Sequence, residues 1–165
     1  MRVGVLSDTH GLLRNEIYGV FEGVHHIVHA GDVGDPAILT ELEVIAPLTA
    51  VAGNVDGWAA GTALRDEAHV RLVGAQVAVV HGHRWGSPKV SHLIAAFPNA
   101  DVIVYGHTHR ALCERHGDRL LLNPGSAGAA RFGHAVTAAL LTLEPGRRPE
   151  ARIVTLLPGK DGPRR

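Results

Sequence analysis

The stretch Asp101-Val-Ile-Val-Tyr-Gly-His-Thr-His109 predicts a short buried strand that ends in two histidines. Its apolar run, Val102 to Tyr105, stops at a glycine, and His107 and His109 follow with one residue between them. Residues i and i+2 of an extended chain project to the same side. Both imidazoles can therefore face one point in space, although two surface histidines in a turn would show the same spacing.

The same pattern recurs along the chain. Four other apolar runs also end in Asp, Asn or His, usually beside glycine, and lead into Asp8-Thr-His10, Gly31-Asp32, Gly53-Asn54 and His81-Gly-His83. Ligand sites in parallel α/β sheets lie beyond the carboxyl ends of the strands. We therefore predict that these strand ends converge on metal, with a ligand set of Asp8, His10, Asp32, Asn54, His81, His107 and His109.

The first half of the chain alternates between strand-like and helical patterns. Strands are expected at 2–7, 26–30 and 47–51, separated by helices that start near Asn15 and Asp35, both of which are plausible caps. This order predicts a parallel sheet with right-handed crossovers.

The second half has the pattern of hairpins. Strands at 68–73 and 76–80 are expected to turn at Gly74-Ala75, and strands at 111–115 and 119–122 form a second pair. A helix capped by Ser87-Pro88 precedes residues 102–107, and two more strands follow at 135–143 and 151–157. We predict an α/β fold with a parallel half and an antiparallel half, in which two sheets pack face to face with helices outside. One domain is expected over residues 1–157, with a frayed tail from 158 to 165.

Composition excludes several classes of partner. The 165-residue chain carries 16 basic and 16 acidic side chains, so no net field draws it to long nucleic acid or to an anionic membrane. No apolar run approaches the roughly 20 residues that span a bilayer. The single cysteine, Cys113, excludes an internal disulfide and fits a reducing compartment. A soluble cytoplasmic protein is predicted.

The ligand set itself favours certain metals and a certain chemistry. Mixed oxygen and nitrogen donors without thiolate suit manganese, iron, cobalt, nickel or zinc better than calcium or magnesium. Seven ligands exceed one tetrahedral site and suit two metals that share a carboxylate. Two metals roughly 3.5–4 Å apart form a clamp for in-line displacement at phosphorus.

The blocks Asp-x-His, Gly-Asp-x-x-Asp, Gly-Asn-x-Asp, His-Gly-His, Gly-His-Thr-His and Asn-Pro-Gly-Ser occur in this order between residues 3 and 126. In this order they resemble the calcineurin-like metallophosphoesterases, and more narrowly their small microbial phosphodiesterase branch. The resemblance implies a two-sheet β-sandwich flanked by helices, with four α/β/β/α layers. It also implies a phosphodiester hydrolase that uses two divalent transition metals, manganese first among them, and a metal-bound hydroxide as nucleophile. One metal would take Asp8, His10 and His109, the other Asn54, His81 and His107, and Asp32 would bridge them.

One position departs from the wider family. Many relatives carry a histidine after the Gly-Asn pair that protonates the leaving oxygen, whereas this chain has Val55, which cannot donate. The small microbial branch commonly lacks this histidine too. His83, two residues beyond His81, is our candidate for the missing acid, although an exposed loop histidine is an equally simple interpretation.

Several residues allow two interpretations from the sequence. Asp56 either orients a ligand or shapes a turn, and Asn123 and Ser126 either bond to the site or form an ordinary turn. Trp58 and Trp85 either flank a substrate or pack. The other histidines, His25, His26, His29, His69, His92, His116 and His134, are expected at the surface or the edge of the core.

The activity also has alternatives. A phosphomonoesterase would use the same metals, and a scaffold subunit of a membrane-trafficking complex would have the same fold with an idle site. For a phosphodiesterase, a cyclic nucleotide, a nucleic-acid end and a small metabolite diester all fit as the small substrate. A homo-oligomer is compatible with the sequence.

Overall fold

The computed structural model describes residues 1–57, 64–131 and 133–159, so Trp58 and most of the predicted tail lie outside the described residues. The strands within these ranges are β1 (Arg2–Leu6), β2 (His26–His29), β3 (Leu48–Ala50), β4 (Glu67–Leu72), β5 (Ala75–Val80), β6 (Val102–Tyr105), β7 (Leu112–His116), β8 (Arg119–Asn123), β9 (Val136–Thr142) and β10 (Glu150–Leu157). The α-helices are α1 (Glu16–Val20), α2 (Ala37–Ile45) and α3 (Val90–Ala96), and a 3-10 turn spans His83–Trp85.

The strands form two five-stranded sheets, with the orders β10-β9-β1-β2-β3 and β4-β5-β6-β8-β7. Strands β1, β2 and β3 are parallel in the first sheet, and β5, β6 and β8 are parallel in the second. The remaining pairs are antiparallel. The expected division into a parallel half and an antiparallel half is therefore wrong. Each sheet is mixed, because β9 and β10 return to the first sheet and β6 pairs in parallel with both of its neighbours.

A core of small aliphatic side chains fills the space between the two sheets. Val3 and Val5 of β1 lie in this core, and so do Val77 and Val79 of β5. Their neighbours along each strand, such as Leu6, point to the opposite face and join another cluster. This alternation follows from the two-residue period of a strand. It explains why these strands are apolar throughout, since both faces of each sheet are covered.

Helices cover the two outer faces and complete four layers. On the first sheet, Phe21 lies directly over Gly4, where a Cβ atom would come within 2.9 Å of the ring. Leu42 of α2 joins the same cluster. On the second sheet, Leu93 of α3 packs in a cluster with Ile103 of β6. The predicted α/β/β/α sandwich is confirmed.

Local boundaries differ from expectation in three places. The first hairpin turns at Val73-Gly74, which both have positive φ values of 50° and 86°, and not at Gly74-Ala75. Helix α3 has Lys89 as its N-cap, so Ser87-Pro88 does not cap it. Asn15 occupies the N-cap of α1 but makes no capping hydrogen bond with its side chain. None of the helices in the described ranges is long and apolar enough to cross a membrane.

Candidate metal centre

The loops that follow five strand ends meet at one edge of the sandwich. Strands β1, β2 and β3 contribute from the first sheet, and β5 and β6 contribute from the second. Contacts of side chains and rings across these loops connect all the predicted ligands, which are Asp8, His10, Asp32, Asn54, His81, His107 and His109. The structure thus brings all seven predicted ligands together.

Much of the backbone here is held in an unusual conformation. Asp8, His10, Asp32, His107 and His109 all have φ between 48° and 69°, in the left-handed region. Residues other than glycine rarely adopt this region. Each such residue costs of order 1–3 kcal/mol and persists only where the surrounding structure enforces it. Strain of this kind collects at functional sites, where it aims side chains that a relaxed strand end would not aim.

Asp8, His10 and His109 form the first cluster of ligand atoms. The Oδ2 atom of Asp8 accepts hydrogen bonds from Ser7 Oγ at 2.5 Å and from the His107 backbone N–H at 3.1 Å. Its buried Oδ1 atom has no hydrogen-bond partner among the described residues. Nε2 of His109 lies 3.2 Å and Nε2 of His10 lies 3.9 Å from this oxygen. A cation fits this arrangement, because a carboxylate oxygen and two ring nitrogens converge on it.

His81 is the centre of a second cluster. Its Nδ1 atom lies 2.8 Å from the carbonyl oxygen of Ala30 and must donate to it, so the neutral ring has a lone pair on Nε2. That Nε2 atom faces Oδ1 of Asn54 at 3.2 Å and Oδ1 of Asp32 at 3.4 Å. Electron pairs from three atoms thus face one another, and only a proton or a metal cation resolves the conflict.

Asp32 lies between the two clusters. One of its oxygens, Oδ1, faces His81, and the other, Oδ2, lies 3.7 Å from Nε2 of His10. Burial raises the pKa of the Asp32 carboxyl, but the hydrogen bond and charge of His81 and the Val55 N–H outweigh this, and its pKa falls to about 2. Burial lowers the pKa of His81, its partner in this pair. The hydrogen bond to Asp32 and the charge of Asp8 have the opposite effect and are larger together, so the pKa of His81 is raised. Asp32 is therefore an ionised carboxylate that reaches both clusters.

His107 and His83 complete the second side of the site. The ring of His107 lies 5.1 Å from that of His81, centroid to centroid, and the ring of His83 lies 5.4 Å from it. Burial and then the neighbouring His81 lower the pKa of His107. Nδ1 of His83 is buried without a hydrogen-bond partner among the described residues. His83 is therefore part of the site and not an exposed loop residue, while its role stays a prediction.

His29 was expected at the surface or at the edge of the core, and the structure corrects this expectation. It is fully buried beneath the ligand loops, where burial lowers its pKa from 6.5 to about 4. Its Nδ1 accepts the Gly31 N–H at 3.2 Å, so Nε2 carries the proton and donates to Thr9 Oγ1 at 2.9 Å. His29 follows the apolar run Ile27-Val28, which is the same pattern that selected the predicted ligands. This pattern could therefore have indicated that His29 lies near the site.

Asp56 has a structural role that the sequence left undecided. Its carboxylate is buried and accepts hydrogen bonds from the backbone N–H groups of Val33, Gly34 and Gly53 at 3.2, 2.9 and 2.7 Å. These bonds shape the turn after β3 and fasten it to the loop after β2. Asp56 thus fixes the relative position of the loops that present Asp32 and Asn54.

The Asn-Pro-Gly-Ser loop also bonds to the site, which was one of the two interpretations of Asn123 and Ser126. Asn123 Nδ2 donates to the Gly106 carbonyl oxygen and to Thr108 Oγ1, both at 3.0 Å. Ser126 Oγ donates to the backbone oxygen of Asp8 at 2.9 Å. These bonds position the backbone on either side of the first cluster.

Two glycines allow the carboxylates to approach the backbone. A Cβ atom on Gly53 would collide with the carboxylate of Asp32, and one on Gly106 would collide with Ser7 Oγ and crowd Asp8. The glycines that precede Asn54 and His107 therefore leave room for the ligand carboxylates.

The other selected residues have simpler surroundings. Trp85 packs against the cluster under α3, with the guanidinium of Arg84 4.1 Å from its ring centroid. Val55 is 41% exposed beside the centre, and its N–H donates to Asp32 Oδ1 at 3.0 Å. Cys113 is a free cysteine that is exposed on β7.

The family of the chain follows from comparison with known proteins. The profile of the calcineurin-like phosphoesterase superfamily domain matches residues 1–146. The chain belongs to this superfamily. The match includes every loop of the candidate metal centre.

Known relatives of this calcineurin-like phosphoesterase agree in length and fold. A probable metallophosphoesterase of Methanothermobacter thermautotrophicus is 34% identical over 139 residues, which cover 80% of each chain. The phosphodiesterase YfcE of Escherichia coli is 28% identical over 164 residues, 86% of this chain and 87% of its own. The structure of Vacuolar Protein Sorting 29 from Cryptosporidium parvum superposes with a TM-score of 0.79 at 15% identity, over 94% of this chain and 97% of its own. At that identity the likeness shows the fold alone.

Proposed function

We propose that this protein is a phosphodiesterase that uses two divalent transition metals. The observation that carries the proposal is the position of Asp32, whose two oxygens face His10 in one cluster and His81 in the other. One cation would be held by Asp8, His10 and His109, and the second by Asn54, His81 and His107, with Asp32 shared. The names of two relatives support a metal-dependent phosphoesterase and a phosphodiesterase activity.

The donor set fits such cations, with manganese as first choice and iron, nickel, cobalt or zinc as alternatives. When bound, two such ions supply an activated water near neutral pH and neutralise charge on the phosphoryl oxygens. The chain's own side chains orient the ligands. Ala30 fixes the ring of His81 through Nδ1, and Ser7 fixes the carboxylate of Asp8 through Oδ2.

His83 is the side chain that we propose to contact the substrate. Its ring lies 5.4 Å from His81 and 6.4 Å from His107, centroid to centroid, which places it beside the second cluster rather than in it. From there an N–H of the imidazole donates to an oxygen of the substrate phosphate. Because position 55 is a valine, His83 is the nearest candidate to supply a proton to the leaving oxygen.

The nature of position 55 favours diesters with good leaving groups. A leaving group that is a weak base departs without much protonation, whereas an alkoxide needs a positioned acid. A phosphomonoesterase with the same metals is the second candidate. A scaffold without catalysis is disfavoured, because strained backbone and buried carboxylates are costly to keep in a protein that does not use them.

A direct assay tests the proposal. Bis(p-nitrophenyl) phosphate and p-nitrophenyl phosphate are supplied to the purified protein with manganese and after chelation. We expect metal-dependent hydrolysis, faster for the diester, and loss of activity in the Asp32→Asn variant. Asp35→Asn serves as the matched control, because Asp35 is exposed and its carboxylate accepts the N–H of Ala37 on the surface of the protein. Faster hydrolysis of the monoester would favour the second candidate, and no hydrolysis with two metals bound would favour a scaffold.

Other expectations from the sequence remain proposals. We propose a small phosphodiester as substrate rather than long nucleic acid, in line with the balance of 16 basic and 16 acidic residues. A single domain over residues 1–157, a cytoplasmic location and a homo-oligomeric state also remain predictions.

A further inference from the structure

A groove of about 820 Å³ opens beside the second cluster. One wall is formed by the loop 86–88 after the 3-10 turn, and the other by the segment 108–112 after β6. The ligand His107 lines one end of this groove, and His134 lines it from the loop before β9. The groove is therefore continuous with the candidate metal centre and has the size of a site for a small molecule.

The charge of this groove has one sign. None of its lining residues is acidic in the part of the chain that the structure describes, while Arg110 and two histidines, His107 and His134, line it. Burial and then the charge of Glu114 on the neighbouring strand β7 raise the pKa of Tyr105, which lines the groove. Glu114 itself lies 3.3 Å from His116 and is not part of the lining. The groove thus favours an anionic occupant.

Hydrogen bonds from the backbone and from the side chain of Arg110 fix this residue at the wall of the groove. Its N–H donates to Thr108 Oγ1 at 3.3 Å, and Thr108 is in turn bonded by Asn123 at 3.0 Å. Its Nε–H donates to Nε2 of His134 at 3.4 Å, which leaves the terminal nitrogens of the guanidinium for a ligand. A guanidinium presented in this way suits a phosphate or carboxylate.

We propose that this groove binds one substituent of the phosphodiester and that Arg110 selects substrates in which that substituent carries a second anionic group, such as another phosphate. The inference rests on the proposed function, because the scissile phosphate must lie at the metal centre for its substituent to reach the groove. A phosphodiester has two substituents, and the one directed past His107 enters the groove.

A pair of substrates that differ by one phosphate tests this selectivity. The p-nitrophenyl ester of thymidine 5′-phosphate is compared with the same ester carrying an additional 3′-phosphate. We expect kcat/KM to be about tenfold higher for the second ester, the gain typical of one charge-assisted contact. In Arg110→Ala this ratio should fall toward one, and Arg110→Lys should retain part of it. Arg71→Ala is the matched control, since Arg71 is exposed on β4 at the end of the sheet away from the site.

Binding without metal separates this inference from the proposed function. Calorimetry in chelator compares thymidine 3′,5′-bisphosphate with thymidine 5′-phosphate, and we expect the bisphosphate to bind more tightly unless Arg110 is replaced. Hydrolysis of both esters at equal rates, with equal binding of both nucleotides, would contradict the proposed selectivity of the groove but not the phosphodiesterase activity. Absence of hydrolysis, with the preference for the bisphosphate retained, would contradict the phosphodiesterase activity but not the binding of an anionic group in the groove.

Discussion

His29 Nε2 lies 2.9 Å from Thr9 Oγ1, and this buried contact connects two loops of the metal centre. Since the Gly31 N–H donates to Nδ1, the proton of the ring is on Nε2, and the Thr9 hydroxyl in turn donates a hydrogen bond to the Val33 carbonyl oxygen at 3.0 Å. The result is a chain of three hydrogen bonds from the β2 loop to the β1 loop and back. Asp8 and His10 flank Thr9, so their positions depend on this chain.

Replacing His29 with leucine should destabilise the protein by about 2–4 kcal/mol. The variant leaves the buried Gly31 N–H unsatisfied, which costs about 1–3 kcal/mol, and removes the bond that the Thr9 oxygen accepts, which contributes about 1 kcal/mol. Urea unfolding monitored by circular dichroism measures the change. His69→Leu is the control, because His69 is exposed on β4 and its loss should change stability by less than about 0.5 kcal/mol. Equal effects of the two substitutions would contradict the structural role of His29.

The lowered pKa of His29 should also be visible in the pH dependence of the free energy of unfolding. Burial lowers its pKa to about 4 in the folded protein, against 6.5 in the unfolded chain. Between these two values the unfolded chain binds a proton that the folded protein does not, so the free energy of unfolding falls as the pH drops from about 6.5 to about 4. The wild type should lose up to about 3 kcal/mol from this group across that window. His29→Leu should show a correspondingly flatter profile, and an unchanged slope would mean that another group is responsible.

Asp32→Asn should weaken both metal sites together. The substitution removes one negative charge that faces both clusters and replaces one carboxylate oxygen with an amide nitrogen, a poor ligand. Elemental analysis after dialysis should find fewer than two metals per chain, whereas Asp35→Asn should match the wild type. Two metals per chain in Asp32→Asn would show that Asp32 is not shared.

The sequence predicted which side chains come together here, because they share one local signal, a polar residue at the end of an apolar run. It did not predict how the strands pair, since an alternating or continuous apolar run carries no record of its partner. The return of β9 and β10 to the first sheet was therefore missed. His29 and Asp56 were misjudged or left open for a related reason. Asp56 accepts backbone N–H groups of the loop after β2, and His29 donates to the Thr9 hydroxyl of the loop after β1. Both roles depend on contacts between loops that are distant in sequence, and a local sequence pattern does not show such contacts.

Val55→His should raise activity toward poor leaving groups. Val55 is 41% exposed beside Asp32, so an imidazole there has room and stands next to the centre. We expect an increase of about tenfold for an alkyl diester, below the ~10²-fold or more that a well-placed acid provides. Little change is expected for bis(p-nitrophenyl) phosphate, whose leaving group needs no proton. If the wild type already prefers alkyl monoesters, an acid is present and this account of Val55 is wrong.

His83→Ala should keep both metals and lower turnover by roughly 10²-fold, the lower range for a positioned proton donor. The ring is close to His81 and His107, with centroids 5.4 and 6.4 Å away, yet its Nδ1 atom is buried without a hydrogen-bond partner among the described residues. The ring is therefore near enough to the second cluster for its Nε2 atom to reach a substrate there, and no hydrogen bond from Nδ1 ties it to the described fold.

Two measurements on one sample of His83→Ala distinguish its possible roles. Metal content should remain at the wild-type value, and the rate should fall more for an alkyl diester than for bis(p-nitrophenyl) phosphate, because only the alkoxide needs the proton. His116→Ala is the matched control, as His116 pairs with Glu114 on β7, away from the ligand cluster. Loss of metal would make His83 a ligand, and an unchanged rate with both substrates would remove it from the reaction. An equal fall for both substrates would instead indicate that His83 orients the phosphate by a hydrogen bond and transfers no proton.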